Sequence, residues 1–290
     1  MTAQSLVREA SRLFSLPDVA IRLNKLLAAE DTSTRQIVEL VELDPGLAAS
    51  VLKLANSAYY GLSKRVDTIA RALAVIGQRE LQAMALATSV VKTFKGLPDD
   101  LVDMASFWDN SVTCGVIARL LARRCRNRHS DQLFLAGLLH AVGRLVFYAR
   151  FADEYRVLLT TVDGTDAHSL AAAEWRVFGC DYATLGGELL EAWKLPPLLQ
   201  TLVGGQLSPA EPGDFAAERA LLHVAIVLAA SVSPVRKDTP PCEASIADFD
   251  PTAWALLGFD EAVIDEVVLD TRTQAMEILA IINPEAAVIY

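Results

Sequence analysis

Phe134-Leu-Ala-Gly-Leu-Leu-His140-Ala141-Val-Gly143 is an apolar run holding a single imidazole. Leu135, Leu138, Leu139, Val142, Leu145 and Val146 recur at helical spacing, which predicts one helix carrying His140 and burying one face. A divalent cation that activates water needs three or four protein ligands converging on one point. An imidazole followed by an aspartate on a buried helical turn supplies two of them. Here the residue after His140 is Ala141, which ligates nothing.

Working outward, nearly the whole chain keeps helical period. Ser33-Thr-Arg-Gln36 has capping-box spacing, so a helix starts there with Ile37, Leu40 and Val41 inward. Asp44-Pro45 pairs an N-cap aspartate with proline at the first helical position, and Leu47, Val51, Leu54 and Ala55 continue one face until Asn56-Ser57 ends it. Thr68 opens a short helix, and Gly77 supplies a corner before the apolar segment Glu80 to Phe94. Gly96-Leu-Pro98-Asp-Asp100 reads as a boundary. Beyond it, further helices are marked by Val112, Val116 and Leu120, by His168 to Phe178, by Thr184 to Trp193 and by Leu221 to Ala230. Ser233 to Pro241 reads as a linker, and Ile264, Val267, Val268, Ile278 and Leu279 form a last apolar stripe. No alternating run long enough for a sheet occurs, so the fold class is all-α.

Composition narrows the function. With 290 residues, 52% of them hydrophobic and 21% charged, the chain can bury a sizeable core and lies outside the disordered class. A mean hydropathy of +0.31 raises the question of a membrane, but no uninterrupted apolar span of about 18 residues is found. Ala83 to Val91 and Leu221 to Val232 are too short, and Met1 to Glu9 lacks a secretory layout, which places the chain in the cytoplasm without a membrane partner. A formal charge of -10 argues against nucleic acid, because neutralising phosphates takes a basic face. Arg123 to His129 is a local exception, read as cations complementing a helix C-terminus. Asp99, Asp100 and Asp103 read as a solvated acidic patch, and His129 as a solvated side chain. Cys114, Cys125, Cys180 and Cys242 lack CxxC spacing and read as reduced thiols.

Taken in order, Leu16-Pro17-Asp-Val19, the block from Asp44-Pro45 to Asn56-Ser57-Ala58, Ala72 through Ile76-Gly77, Trp108 with Ser111, and Ala136-Gly137-Leu-Leu-His140 with Gly143 resemble the HDOD domain family. The resemblance runs from about Ser15 to about Val232. It implies a two-part helical bundle, with an N-terminal helical subdomain over 1–97 and a degenerate HD-like subdomain over 98–232. A linker and C-terminal helices packing on the HD-like part would fill 233–290. The family's members are bacterial signalling or regulatory modules, often without demonstrated catalysis.

Carried over residue by residue, the HD-type ligand set is mostly lost. Asn110 stands at the place of the first histidine, His140-Ala141 replaces the histidine-aspartate pair, Cys180-Asp181-Tyr182 and Gly204-Gly205 stand where relatives have histidines, and no Asp or Glu occurs from Ala220 through Lys237. Asparagine is a poor ligand for a catalytic transition metal. The expected reading is therefore a non-catalytic, cytoplasmic signal-transduction module, with no metal, no cofactor and no catalytic residue, acting on an unidentified protein partner. Asn110, His140 and Tyr182 would line a remnant pocket, and Trp108 and Asn56 a cleft between the subdomains. Two other readings stand beside it. One is a divergent metal-dependent phosphohydrolase of nucleotides or cyclic dinucleotides, recruiting Asp109, Asp181 or Glu188; the other is a small-molecule sensor using the remnant pocket.

Overall fold

A computed structural model describes residues 6–7, 14–29, 32–94, 96–162, 166–233 and 246–284. The linker expected over Ser233 to Pro241 lies, apart from Ser233, outside these residues, as do Cys242 and most of Met1 to Glu9. The described residues form helices and connecting turns, with no strand among them. The first four helices are α1 (Asp18–Ala28), α2 (Thr34–Glu42), α3 (Pro45–Ala55) and α4 (Ile69–Thr93). Then come α5 (Met104–Arg124), α6 (Ser130–Leu139), α7 (Val142–Arg150), α8 (Ala152–Thr161), α9 (Ala167–Phe178), α10 (Tyr182–Ala192), α11 (Pro197–Gly204) and α12 (Ala216–Val232). Short α13 (Pro251–Leu257) and long α14 (Ala262–Ile282) end the series.

Local chemistry sets these boundaries. Ser33 and Gln36 close the capping box at the start of α2, and Asp44 Oδ1 accepts the Gly46 and Leu47 amides ahead of Pro45. Gly77, at φ 80° and ψ 167°, bends α4 as its sequence position predicts; a side chain there would be strained in the left-handed region. Asp103, expected to be solvated, caps α5 through the Ala105 amide and the Ser106 hydroxyl. Asp100 pairs with Arg156 rather than standing free.

Two expectations need correction. The helix through His140 is two helices: α6 stops at Leu139, and α7 begins at Val142 after a turn at His140-Ala141. His129 is half-buried, and its Nδ1–H donates to Gln132 Oε1 at 2.6 Å. Ser130–Arg150 is also long and apolar enough, by length and composition, to cross a membrane, although its apolar window is 83% buried within the fold and the turn at His140 divides it. Helix α8 lacks a clear sequence signal, whereas α13 carries the same Asp-Pro start as Asp44-Pro45, with Asp250 Oδ1 accepting the Thr252 and Ala253 amides and Gly258 in the left-handed region at its end.

Helix α5 is the hub, packing on α6, α12 and α14. Its approach to α6 is close because Gly115 and Gly137 face each other, and a Cβ on Gly137 would meet the Gly115 backbone at 2.7 Å. From α4, Glu80 reaches Arg119 of α5 in a buried ion pair at 2.7 Å, with the guanidinium 4.8 Å from the centre of the Phe134 ring. Phe14, Phe94 and Trp193 add an aromatic seam, in which Trp193 Nε1 donates to the Phe14 carbonyl.

Candidate functional site

The turn between α6 and α7 places His140, and Gln206 holds that turn by donating from Nε2 to the His140 and Val203 carbonyls. His140 Nδ1–H donates to the Gly137 carbonyl at 2.7 Å, which leaves Nε2 its lone pair. Burial pushes the imidazole pKa down to about 4; the Gly137 hydrogen bond opposes this, and the Arg144 charge adds to it. The ring is therefore neutral and oriented as a metal-bound histidine would be.

The residues expected to join it do not complete a ligand set. Ala141 offers nothing. Asn110 donates through Nδ2 to the Ser233 carbonyl at 2.7 Å, and the adjacent Asp109 accepts the Ser233 hydroxyl. Asp181 is occupied by the Thr184 amide, which it caps at 2.7 Å, and by Trp175 Nε1 at 2.6 Å. Glu188 lies half-buried on α10. Among the described residues no three His, Cys, Asp or Glu side chains group as a metal site would require. The residues present thus do not fit the divalent cation that HD-type chemistry implies.

The expected pocket residues are all buried, at 4% exposure for Asn110, 6% for His140 and 2% for Tyr182. Tyr182 comes near the turn through its backbone, since a Cβ on Gly143 would fall 2.0 Å from the Tyr182 carbonyl. Two open pockets, of about 300 and 280 Å³, lie elsewhere, one around His168 and His223 and one around Lys64 and Arg71. His223 accepts the Asp250 amide at 2.9 Å in the first. Of the two residues expected along a cleft, Trp108 does not face open space. Trp108 is buried edge-on against Phe107, and Asn56 is tied to both backbone polar groups of Val66 at 2.7 Å, so it closes the loop after α3.

One polar cluster escaped the sequence reading. Glu174, wholly buried on α9, accepts the Tyr155 hydroxyl on Oε1 and the Tyr182 amide on Oε2. Arg144 lies over the Tyr182 ring, 4.1 Å from its centre, and its charge is felt at Glu174. Burial lifts the Glu174 carboxyl to about 7, against the Tyr155 hydrogen bond, Arg144 and the Tyr182 amide, all of which lower it. The available signal was a carboxylate at i+4 from Leu170 and i−4 from Phe178, in the middle of an apolar stripe.

A family model, that of the HDOD domain, matches residues 13–209. The chain belongs to the HDOD family. This bears out the resemblance carried by Asp44-Pro45, Asn56-Ser57 and Ala136 to His140, and with it the all-α, HD-like fold. An HDOD domain protein of unknown function from Geobacter sulfurreducens superposes with a TM-score of 0.74 at 23% identity, covering 97% of both chains. A candidate phosphohydrolase from Shewanella amazonensis SB2B gives a TM-score of 0.76 at 25% identity, covering 96% of this HDOD chain and 98% of its own. An uncharacterized protein of Treponema pallidum (strain Nichols) is 25% identical over 219 residues, 73% of this chain. The HDOD chain spans 41% of that curated relative's length.

Proposed function

We propose that this HDOD chain is a non-catalytic signalling module that acts by binding a protein partner. The observation that carries the reading is the turn at His140-Ala141, where a correctly oriented imidazole has an alanine in place of the carboxylate a hydrolytic cation needs. Asn110, Asp109 and Asp181 are engaged in hydrogen bonds that hold the fold, which supports the same reading. Without a converging donor set, a cation has no fixed geometry in which to acidify water. What this HD-like body retains is helical surface for recognition.

The alternative is a divergent metal-dependent phosphohydrolase acting on nucleotides or cyclic dinucleotides. It is favoured by the description of the Shewanella amazonensis relative as a candidate phosphohydrolase. Elemental analysis of protein purified without a polyhistidine tag separates the two. The adaptor reading expects iron, manganese and zinc well below one equivalent and no turnover of phosphodiesters when these ions are added. One equivalent of metal lost in a His140→Ala variant, together with phosphodiester turnover, would overturn it. The sensor reading has less support, because Asn110, His140 and Tyr182 are packed rather than arranged around an open pocket.

A further inference from the structure

We propose that Glu174 is a buried proton switch that couples the packing of α9 against α7, α8 and α10 to pH. The argument starts from placement. Glu174 is the one acidic side chain on the inward stripe of α9, between Leu170 and Phe178. Around it stand groups from each packed element: Arg144 and Tyr148 of α7, Tyr155 of α8, Cys180 and the capping Asp181 ahead of α10, and Tyr182 within it. Phe147, Tyr148, Tyr155 and Phe178 form the aromatic wall of the same cluster, with ring centres 4.6 to 6.2 Å apart.

The two protonation states demand different hydrogen bonds. An ionised Glu174 accepts from Tyr155 and from the Tyr182 amide and draws on the Arg144 charge, satisfying one carboxylate with groups from three helices. A neutral Glu174 must donate its proton. Arg144 and the Tyr182 amide are donors only, so the acceptor at hand is the Tyr155 oxygen, whose hydroxyl then turns away. The same heavy atoms serve both states with the Tyr155 bond reversed.

The energetic sign follows from burial. With α9 closed the carboxyl holds its proton up to about pH 7, whereas a solvated glutamate gives it up near 4.5. Opening α9 between those values releases a proton, so the opening equilibrium rises by about tenfold per pH unit and levels off above about 7. Closure is tightest on the acid side. Arg144 moderates the effect without cancelling it, because burial outweighs its charge at Glu174.

Hydrogen exchange of the α9 amides in the full chain, compared with Glu174→Gln at each pH, removes the intrinsic pH dependence of exchange. The expected result is protection in the native sequence falling about tenfold per unit, relative to the variant, between pH 5 and 6.5 and becoming flat beyond 7. A constant ratio across that range overturns the proposal. Should the variant fail to fold, a ¹³C titration of glutamate carboxyls in the unaltered protein decides: one carboxyl must titrate near neutrality, and the proposal falls if all titrate below about 5.

Discussion

His140 shows how a residue can keep the posture of a metal ligand while its surroundings change. Its Nδ1 bond to Gly137 fixes the tautomer, and burial keeps the ring neutral. The folded state refuses a proton down to about pH 4, while the unfolded chain accepts one near 6.5. Stability from this group is complete above about 6.5 and is lost as pH falls toward 4. His140→Leu should lose about 1 kcal/mol at pH 7 for the missing hydrogen bond and show a weaker drop on acidification, as read from urea midpoints at pH 7 and 5. An unchanged acid slope would contradict the buried, neutral imidazole. The missing carboxylate at Ala141 was legible in the sequence because it depends on identity alone. The part Asn56 plays in closing the loop after α3 was not, because both of its Val66 bonds span ten residues and are made only when the loop closes.

At the scale of helices, chain-local signals were legible and three-dimensional ones were not. The capping box at Ser33, the Asp44-Pro45 start and the Gly77 bend act within a few residues, and each stands where its sequence places it. The break at His140-Ala141 carries no glycine or proline, since it is set by Gln206, sixty-six residues away, binding the His140 carbonyl. Helix α8 was missed because its inward face offers little beyond Tyr155 and Leu158. The crossing of α7 on α10 depends on the hydrogen at Gly143, where any Cβ would collide with the Tyr182 carbonyl at 2.0 Å. Gly143→Ala should therefore cost about 1–3 kcal/mol, or block folding, through forced separation of these helices. Chemical denaturation gives the measure. A stability within about 0.5 kcal/mol of the parent would show that the helices part without cost.

Across the whole molecule, the early helices are joined to the hub helix α5 by a buried charge pair as well as by apolar packing. Glu80 of α4 and Arg119 of α5 meet at 2.7 Å with almost no solvent contact. Removing one partner leaves the other charge without its ion pair in a low-dielectric interior. Glu80→Leu alone should cost about 3–5 kcal/mol, whereas Glu80→Leu with Arg119→Met should recover most of that loss, in a double-mutant cycle read by thermal or urea unfolding. Additive losses would mean that the pair contributes no coupling. No periodicity reveals such a contact, since Glu80 and Arg119 are charges embedded in otherwise apolar faces thirty-nine positions apart.

The last long helix has a mechanical consequence. Helix α14 lies along α5 and also touches α3 and α4, with Arg124 reaching Glu266 across the first of these contacts. It is a splint laid over the seam where the early and middle helices meet. Any displacement between the two sides must be accommodated along α14, so loss of its packing would loosen both flanks together.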